Sequence, residues 1–291
     1  MFQRPLICTN LTDGLQRLVN FIPCFAKVGF KQITFLHTIP FLTGQTIPRL
    51  DENQVQVARD RLTGPHLSVE GVEVNIEVQG GRILDCIMNA VKKYKSDLIV
   101  LGASERGSLG ERFFGSTITE LSKRNIAPLL IVRPQLLSAY RREELELRCR
   151  HLFQDVLVPY DASKAAEYTI EKIKRLAHER PPEVLESCVL CWVMEEGGYT
   201  ALLESNDNLA TQKSWQRCRH NSRNLDIQVS TQIIQGEPIQ EILRVANESD
   251  VSAIACSSSS LGKLIDWSIP SCAGEILRRS WHPVLYFPPE K

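Results

Sequence analysis

The sequence lacks several features that define whole classes of protein. Its 291 residues contain no apolar run close to the roughly 20 residues that cross a bilayer. Lysine and arginine together number 34, and so do aspartate and glutamate, so no net charge attracts a nucleic-acid backbone or an anionic membrane. The first residues carry neither the charged nor the apolar segment of a secretory signal. We therefore expect a cytoplasmic protein that binds neither nucleic acid nor membrane.

Motifs of several enzyme and metal-binding classes are also missing. The chain has no Walker phosphate loop, no Gly-x-Ser-x-Gly elbow and no His-x-Gly-His motif of nucleotidyltransferases. Cys188 and Cys191 form a C-x-x-C pair, but they lie in an apolar, strand-like run with no second pair at zinc spacing. We interpret the nine scattered cysteines as buried free thiols and His37 as a core histidine with a structural partner. The sequence predicts neither an enzyme nor a metal site.

The two halves of the chain repeat one another at an offset of about 150 residues. An apolar run that ends at Asn10 recurs as one that ends at Asp161, and a hydroxyl residue follows two positions later in each copy. Both copies continue with a Gln-Gly pair ahead of an amphipathic helix, and both close with a final strand after a proline, Pro128 or Pro283. The chain therefore contains two complete domains.

Short apolar segments alternate with helical patterns in each copy. Continuous apolar runs such as residues 98–101 are typical of strands buried on both faces, as in a parallel sheet covered by helices. We predict an α/β protein with two tandem Rossmann-like, doubly wound domains, each on a parallel sheet of roughly five strands. The first domain covers residues 1–135, a helical linker covers 136–153, and the second domain covers 154–291.

The loop after the fourth strand of the first copy is the main candidate site. Ligands of open α/β sheets bind beyond the carboxyl ends of the strands. This loop, residues 102–115, contains four glycines and leads into a helix at Ser116 and Thr117. Exposed amides at such a helix start bind phosphate. The alternative is that the glycines only form turns and Ser116 only caps the helix.

Together these features resemble the universal stress protein family, as two fused copies that cover nearly the whole chain. The family's phosphate loop reads Gly-x2-Gly-x9-Gly-Ser/Thr. Gly102, Gly115 and Ser116 lie on that pattern, whereas Glu105 replaces the second glycine, and Asn10 replaces the family's aspartate. The resemblance implies a non-catalytic stress-response protein whose first domain binds ATP or another adenine nucleotide, with or without Mg²⁺. The implied nucleotide contacts are Thr9, Asn10, Thr38, Gly102, Ser104, Gly107, Gly115, Ser116 and Thr117.

The second copy departs further from the family's loop. Ser257, Ser260 and Pro270 stand where the pattern has glycines, and the proline removes a backbone N–H at the helix start. We therefore expect a degenerate phosphate loop in the second domain. It retains three weaker candidate residues, Asp161, Ser163 and Ser271.

The departures at Asn10, Glu105 and Pro270 favour a second hypothesis, a nucleotide-independent scaffold that acts through a protein partner.

Assembly is predicted from the last strand of each copy. Segments 128–132 and 283–287 are both apolar, and an exposed apolar edge is normally covered or paired. Because members of the family usually dimerise, we predict an intramolecular pseudo-dimer of the two domains. A further homodimer stays open.

Overall fold

The computed structural model describes residues 1–41, 50–64, 68–103, 116–139, 141–194, 227–258 and 271–289. The chain divides into two compact units, Phe2–Arg150 and His151–Lys291. We call them the first and the second domain and describe each by itself.

The first domain is built on five parallel strands in the order β3-β2-β1-β4-β5. A 3₁₀ helix, Leu15–Phe21, follows the first strand. The strands are β1 (Pro5–Cys8), β2 (Gln32–Ile39), β3 (Glu73–Gly80), β4 (Leu98–Gly102) and β5 (Leu129–Val132), and the helices are α1 (Ile22–Val28), α2 (Glu52–Leu62), α3 (Ile83–Tyr94), α4 (Ser116–Arg124), α5 (Pro134–Leu137) and α6 (Arg142–Arg150).

The second domain repeats this arrangement in the order β8-β7-β6-β9-β10, again with parallel pairing throughout. Each domain therefore has the predicted doubly wound sheet of five strands. The described elements are β6 (Asp155–Pro159), α7 (Lys164–His178), β7 (Ser187–Met194), β8 (Gln228–Gln235), α8 (Pro238–Glu248), β9 (Ala253–Ser257), α9 (Cys272–Arg279) and β10 (Val284–Phe287).

The central strands of both sheets are buried, as their continuous apolar sequences predict. Leu6 on β1 and Leu157 on β6 are each 0% exposed. Because β1 lies between β2 and β4, and β6 lies between β7 and β9, each sheet has a switch point beside its first strand. Crevices at the carboxyl edge of such switch points are where doubly wound domains bind ligands.

The segment between the two repeats contains the helices α5 and α6. Helix α6 packs against α1 of the first domain. The guanidinium carbon of Arg142 lies 5.7 Å from the centre of the Phe21 ring, and Arg17 Nη1 donates to the carbonyl of Leu137 at 2.5 Å. These contacts attach the segment to the first domain. Within the described ranges, every helix is too short or too polar to cross a lipid bilayer.

Candidate functional site

The carboxyl end of β1 forms a tight turn around Asn10. The carboxamide oxygen of Asn10 accepts hydrogen bonds from the backbone N–H and the hydroxyl of Thr12, both at 2.8 Å. Leu11 takes the left-handed conformation, with φ 64°. An Asn side chain stabilises such a turn by binding the backbone two residues ahead. This side-chain oxygen of Asn10 therefore has a structural role in the turn.

Asp13, which no motif in the sequence indicates, lies at the centre of the same edge. Its carboxylate accepts hydrogen bonds from the Thr9 hydroxyl at 2.7 Å, from the N–H of Leu15 at 3.0 Å and from the N–H of Asn10 at 3.2 Å. It also packs on Gly102 at the end of β4, where an added Cβ would lie 3.0 Å from the Cβ of Asp13. The crevice between β1 and β4 thus already contains an anion from the protein itself.

The end of β2 supplies Thr38 and His37 to the same edge of the first sheet. Nδ1 of His37 lies 2.9 Å from the carbonyl oxygen of Thr9. A carbonyl only accepts hydrogen bonds, so this ring nitrogen carries the hydrogen and donates it. His37 therefore has a structural partner, as its interpretation as a core histidine requires. Thr38 is half-buried beside it in the strand.

The structure brings several predicted residues of the first domain to one sheet edge. Thr9, Asn10 and Gly102 adjoin the switch point, because β1 and β4 pair in parallel with Cys8 opposite Leu101. Ser116 is the first residue of α4, and Thr117 follows it, half-buried. Three predicted nucleotide contacts, Ser104, Gly107 and Gly115, lie outside the described residues. Glu105 lies outside them as well.

The second domain contains a cavity of about 460 Å³ at the carboxyl edge of its sheet. Asp161, Ser163 and Ser271 all line it, so the three weaker candidates from the sequence come together around one space. The lining continues on the ends of β6, β7 and β9 and on the first turns of α7, α8 and α9. Pro270 and Ser260 lie outside the described residues.

Asp161 forms a turn that matches the Asn10 turn of the first domain. Its carboxylate accepts the N–H of Ser163 at 3.0 Å, and Ala162 has φ 59°. Here α7 begins immediately, and the Ser163 hydroxyl oxygen caps it by accepting the N–H of Ala166 at 3.2 Å. The second domain therefore has no counterpart of Asp13 in this connection, because Lys164 already lies in the helix.

Two buried serines fix the end of β9 beside the cavity. The Ser257 hydroxyl donates to the carbonyl of Phe287 at 2.7 Å. The Ser258 hydroxyl lies 2.8 Å from the hydroxyl of Tyr286, and burial raises the pKa of that tyrosine. Ser257 stands where the family's loop has its first glycine, and its hydroxyl hydrogen is already used within the protein.

Comparison with known proteins identifies the family. The model of the universal stress protein family matches residues 1–133 and again residues 152–288. The chain belongs to the universal stress protein family. Its two matches confirm the tandem arrangement that the repeat predicted, and the family places the protein in the stress response.

Solved structures show the same tandem fold. A universal stress protein from Archaeoglobus fulgidus is similar over 97% of this chain and 97% of its own, with a TM-score of 0.67 and 20% identity. A protein of unknown function from Pseudomonas aeruginosa covers 98% of this chain and 92% of its own, with a TM-score of 0.61 and 12% identity. Among curated protein sequences, none matches this universal stress protein significantly.

Three cysteines line the cavity of this universal stress protein: Cys191, Cys256 and Cys272. Burial, reinforced by the carboxylate of Glu241, raises the pKa of Cys191 to about 12. Desolvation of the thiol, followed by the negative charges of Asp161 and Glu237, raises the pKa of Cys272 to about 12 as well, although the residue as a whole is exposed. The thiolate is the reactive form of cysteine, so both thiols are weak nucleophiles at neutral pH.

The C-x-x-C pair does not form a metal centre within the described part of the chain. Cys188 and Cys191 are both buried on β7, and only Cys191 borders the cavity. No group of three or more cysteine, histidine or acidic side chains in the described ranges is arranged to hold a metal ion.

The electrostatic link between Asp161 and Cys272 gives a first prediction. The expectation that the cysteines are buried is wrong for Cys272, which alone among the described cysteines is exposed and is therefore the most accessible of them to alkylating reagents. Replacing Asp161 with Asn removes a negative charge that raises the pKa of this thiol. We expect alkylation of Cys272 to become a few times faster, measured by mass spectrometry of its peptide at mildly alkaline pH.

The matched control for this experiment is Asp250→Asn. Asp250 is exposed just before β9, at the opposite, amino edge of the same sheet, and it already has the φ of 49° that asparagine tolerates. The control changes the same charge and is expected to leave the alkylation rate of Cys272 unchanged. Equal rates for all three proteins would show that Asp161 does not influence the thiol.

Proposed function

We propose that this universal stress protein binds an adenine nucleotide, ATP in the first instance, in its first domain and without catalysing a reaction. The observation that carries the proposal is the meeting of two segments at the first switch point. The turn at Asn10 and the backbone of Gly102 adjoin there. The glycine-rich segment 103–115 leaves that point and leads into α4 at Ser116. The cytoplasmic location expected from the sequence belongs to this proposal.

A magnesium ion forms part of the proposal because of Asp13. A polyphosphate that enters the crevice approaches the Asp13 carboxylate, and Glu105 adds a second acidic residue in the loop sequence. Mg²⁺ binds phosphate and carboxylate oxygens and reduces the repulsion between them. We therefore expect the first domain to bind the magnesium complex of ATP more tightly than free ATP.

The absence of catalysis is supported by how the candidate reactive groups are engaged. Nδ1 of His37 donates to a backbone carbonyl and not to a side-chain nucleophile. Burial, with a smaller contribution from Asp13, raises the pKa of Cys8 on β1, so this thiol stays protonated. A sensor that binds ATP without catalysis needs neither a catalytic base nor a nucleophilic thiol.

Calorimetric titration with ATP and Mg²⁺ tests this function, with two glycine variants as a pair. Gly115→Val alters the predicted phosphate loop of the first domain, and Gly262→Val places the same change in the corresponding loop of the second domain. We expect one ATP per chain, lost in Gly115→Val and retained in Gly262→Val. An absence of heat with any adenine nucleotide at millimolar concentration overturns the proposal.

The second candidate function, a nucleotide-independent scaffold, is favoured by one observation in the first domain. The Asp13 carboxylate already takes the amides at the switch point that a ligand anion would use. Mass spectrometry of the supernatant after denaturation distinguishes the two functions. Stoichiometric nucleotide released from the purified protein contradicts the scaffold.

The internal pseudo-dimer of the two domains is part of the same proposal, with a further homodimer left open. Its support is the apolar sequence of the two closing strands, β5 and β10. Small-angle scattering tests it, since two separated lobes on a flexible connection would contradict a paired arrangement.

A further inference from the structure

The helix that leads into the second domain carries a buried thiol that the proposed function does not use. Cys149 on α6 is 4% exposed, and Cys24 on α1 is 6% exposed. Both are free thiols in the structure, and α6 packs against α1 within the first domain. The buried side chains of α6 are Leu145 and Cys149, which lie one helical turn apart and so share a face. Helix α6 therefore docks on the first domain through a face that contains a thiol.

The two thiols meet where α1 and α6 are in contact. A negative charge at Cys24 is, after burial, the largest cause that raises the pKa of Cys149 to about 12. Because electrostatic interactions weaken with distance, this influence indicates that the two sulfurs are neighbours. Glu146, on α6, accepts a hydrogen bond from the Cys24 thiol and adds its charge beside Cys149. Cys24, Cys149 and Glu146 thus form one cluster that joins the two helices.

The environment of this cluster favours a disulfide over two thiols. Burial, and then the carboxylate of Glu146, raises the pKa of Cys24, and burial also raises the pKa of Cys149. Strongly oxidising disulfides are those whose reduced form is stabilised. Here the reduced form gains little from ionisation, so a disulfide between the two cysteines resists reduction.

Cys24 is the better suited of the two thiols to react first. Helix α6 consists mostly of charged residues and buries only Leu145 and Cys149, so it opens locally with little exposure of apolar surface. Lys27, which lies on α1 with Cys24, lowers the pKa of this thiol and stays on the same helix when α6 opens. Local opening of α6 thus exposes Cys24 with a cation nearby.

We propose that Cys24 and Cys149 form a reversible disulfide, with a low-molecular-weight disulfide such as glutathione disulfide as the oxidant. The Cys24 thiolate attacks one sulfur of glutathione disulfide, which breaks its S–S bond and releases one glutathione thiolate. The Cys149 thiolate then attacks the Cys24 sulfur of the mixed disulfide and releases the second glutathione. The protein gives up two electrons, and its two thiol protons pass through water to the two glutathione thiolates.

The disulfide changes how the two domains are connected along the chain. The second domain begins at His151, directly after α6. In the reduced chain, α6 can leave α1 and lengthen the connection, whereas in the oxidised chain Cys149 is covalently fixed to the first domain. The inference is independent of nucleotide binding and goes beyond the proposed function.

Peptide mapping of the full chain tests the disulfide. The protein is equilibrated with glutathione disulfide, quenched with acid, alkylated under denaturing conditions and digested without reduction. We expect a peptide that joins Cys24 to Cys149, about fivefold or more abundant than any other cross-link and removed by dithiothreitol. Hydrogen exchange of the α6 amides should slow by about tenfold or more on oxidation, because the cross-link opposes local opening.

Two cysteine variants connect the slower exchange to this pair. Cys24→Ser should abolish both the cross-link and the effect of oxidation on α6. Cys86→Ser is the matched control, since it removes another buried thiol of the first domain, on α3, and should preserve both. Melting temperatures identify any variant that fails to fold, and the unaltered chain then decides the question through its peptide map.

Two results overturn the proposal. One is that the unaltered chain at equilibrium lacks the peptide that joins Cys24 to Cys149, or joins Cys149 to other cysteines equally often. The other is that oxidation slows exchange of α6 equally in Cys24→Ser and Cys86→Ser. Neither result depends on the ATP titration, which is carried out on the reduced chain.

Discussion

Replacing Asp13 with Asn is expected to tighten the binding of Mg²⁺-free ATP by about tenfold or more. A phosphate within about 8 Å of this carboxylate, at an effective dielectric constant near 20, is repelled by ~2 kcal/mol. Asparagine keeps one oxygen to accept from Thr9 or the backbone, so the turn survives with a modest loss of stability. Calorimetry with ATP in the presence of a chelator measures the change.

The gain should be smaller when Mg²⁺ is present, since the metal already reduces the repulsion. Asp60→Asn is the matched control, because Asp60 is exposed near the end of α2 and away from the carboxyl edge of the sheet. Weaker binding of Mg²⁺-free ATP in Asp13→Asn would mean that the carboxylate supports the ligand and does not repel it.

Replacing Leu157 with Asp is expected to unfold the second domain. Leu157 is 0% exposed on β6, between Val189 of β7 and Ile254 of β9. A carboxylate at this position is surrounded by apolar groups and has no partner for its charge, which costs at least about 4 kcal/mol. Urea denaturation followed by circular dichroism measures the loss.

Leu157→Met is the control for this variant, since it conserves volume and is expected to cost less than about 1.5 kcal/mol. The unfolded second domain should also expose Cys191 and Cys256, which are buried in the native fold, to rapid alkylation. A denaturation midpoint for Leu157→Asp equal to that of the unaltered protein would contradict the assignment of β6 to the core.

Much of the fold follows from local pattern in the sequence. The offset between the Asn10 and Asp161 turns predicts two copies, and the structure gives those turns nearly the same backbone, with φ 64° at Leu11 and 59° at Ala162. Parallel pairing follows because each apolar run is followed by a helix, which returns the chain to the same edge of the sheet. These features depend on neighbours along the chain.

The site was harder to predict because it depends on residues distant in sequence. Asp13 matters because it packs on Gly102, and only the pairing of β1 with β4 brings the two together. Its sequence signal was weak: an aspartate before Gly14 is typical of many turns. The signal that the sequence does carry is an acidic residue a few positions beyond the end of the first strand.

The cavity of the second domain was missed for a related reason. The family pattern indicates Asp161, Ser163 and Ser271 only weakly, because the first two follow the first strand and Ser271 alone lies on the phosphate loop. The space beside them exists because Val193, Ile242 and Ile276 come from three separate elements. A sequence pattern within one segment cannot predict a cavity that several separate helices and strands enclose.

Calorimetric titration of the chain with ATP and Mg²⁺ tests the central claim, that the first domain binds the nucleotide. The account predicts one ATP per chain, with the heat lost in Gly115→Val and retained in Gly262→Val. An absence of heat at millimolar ATP would contradict the account.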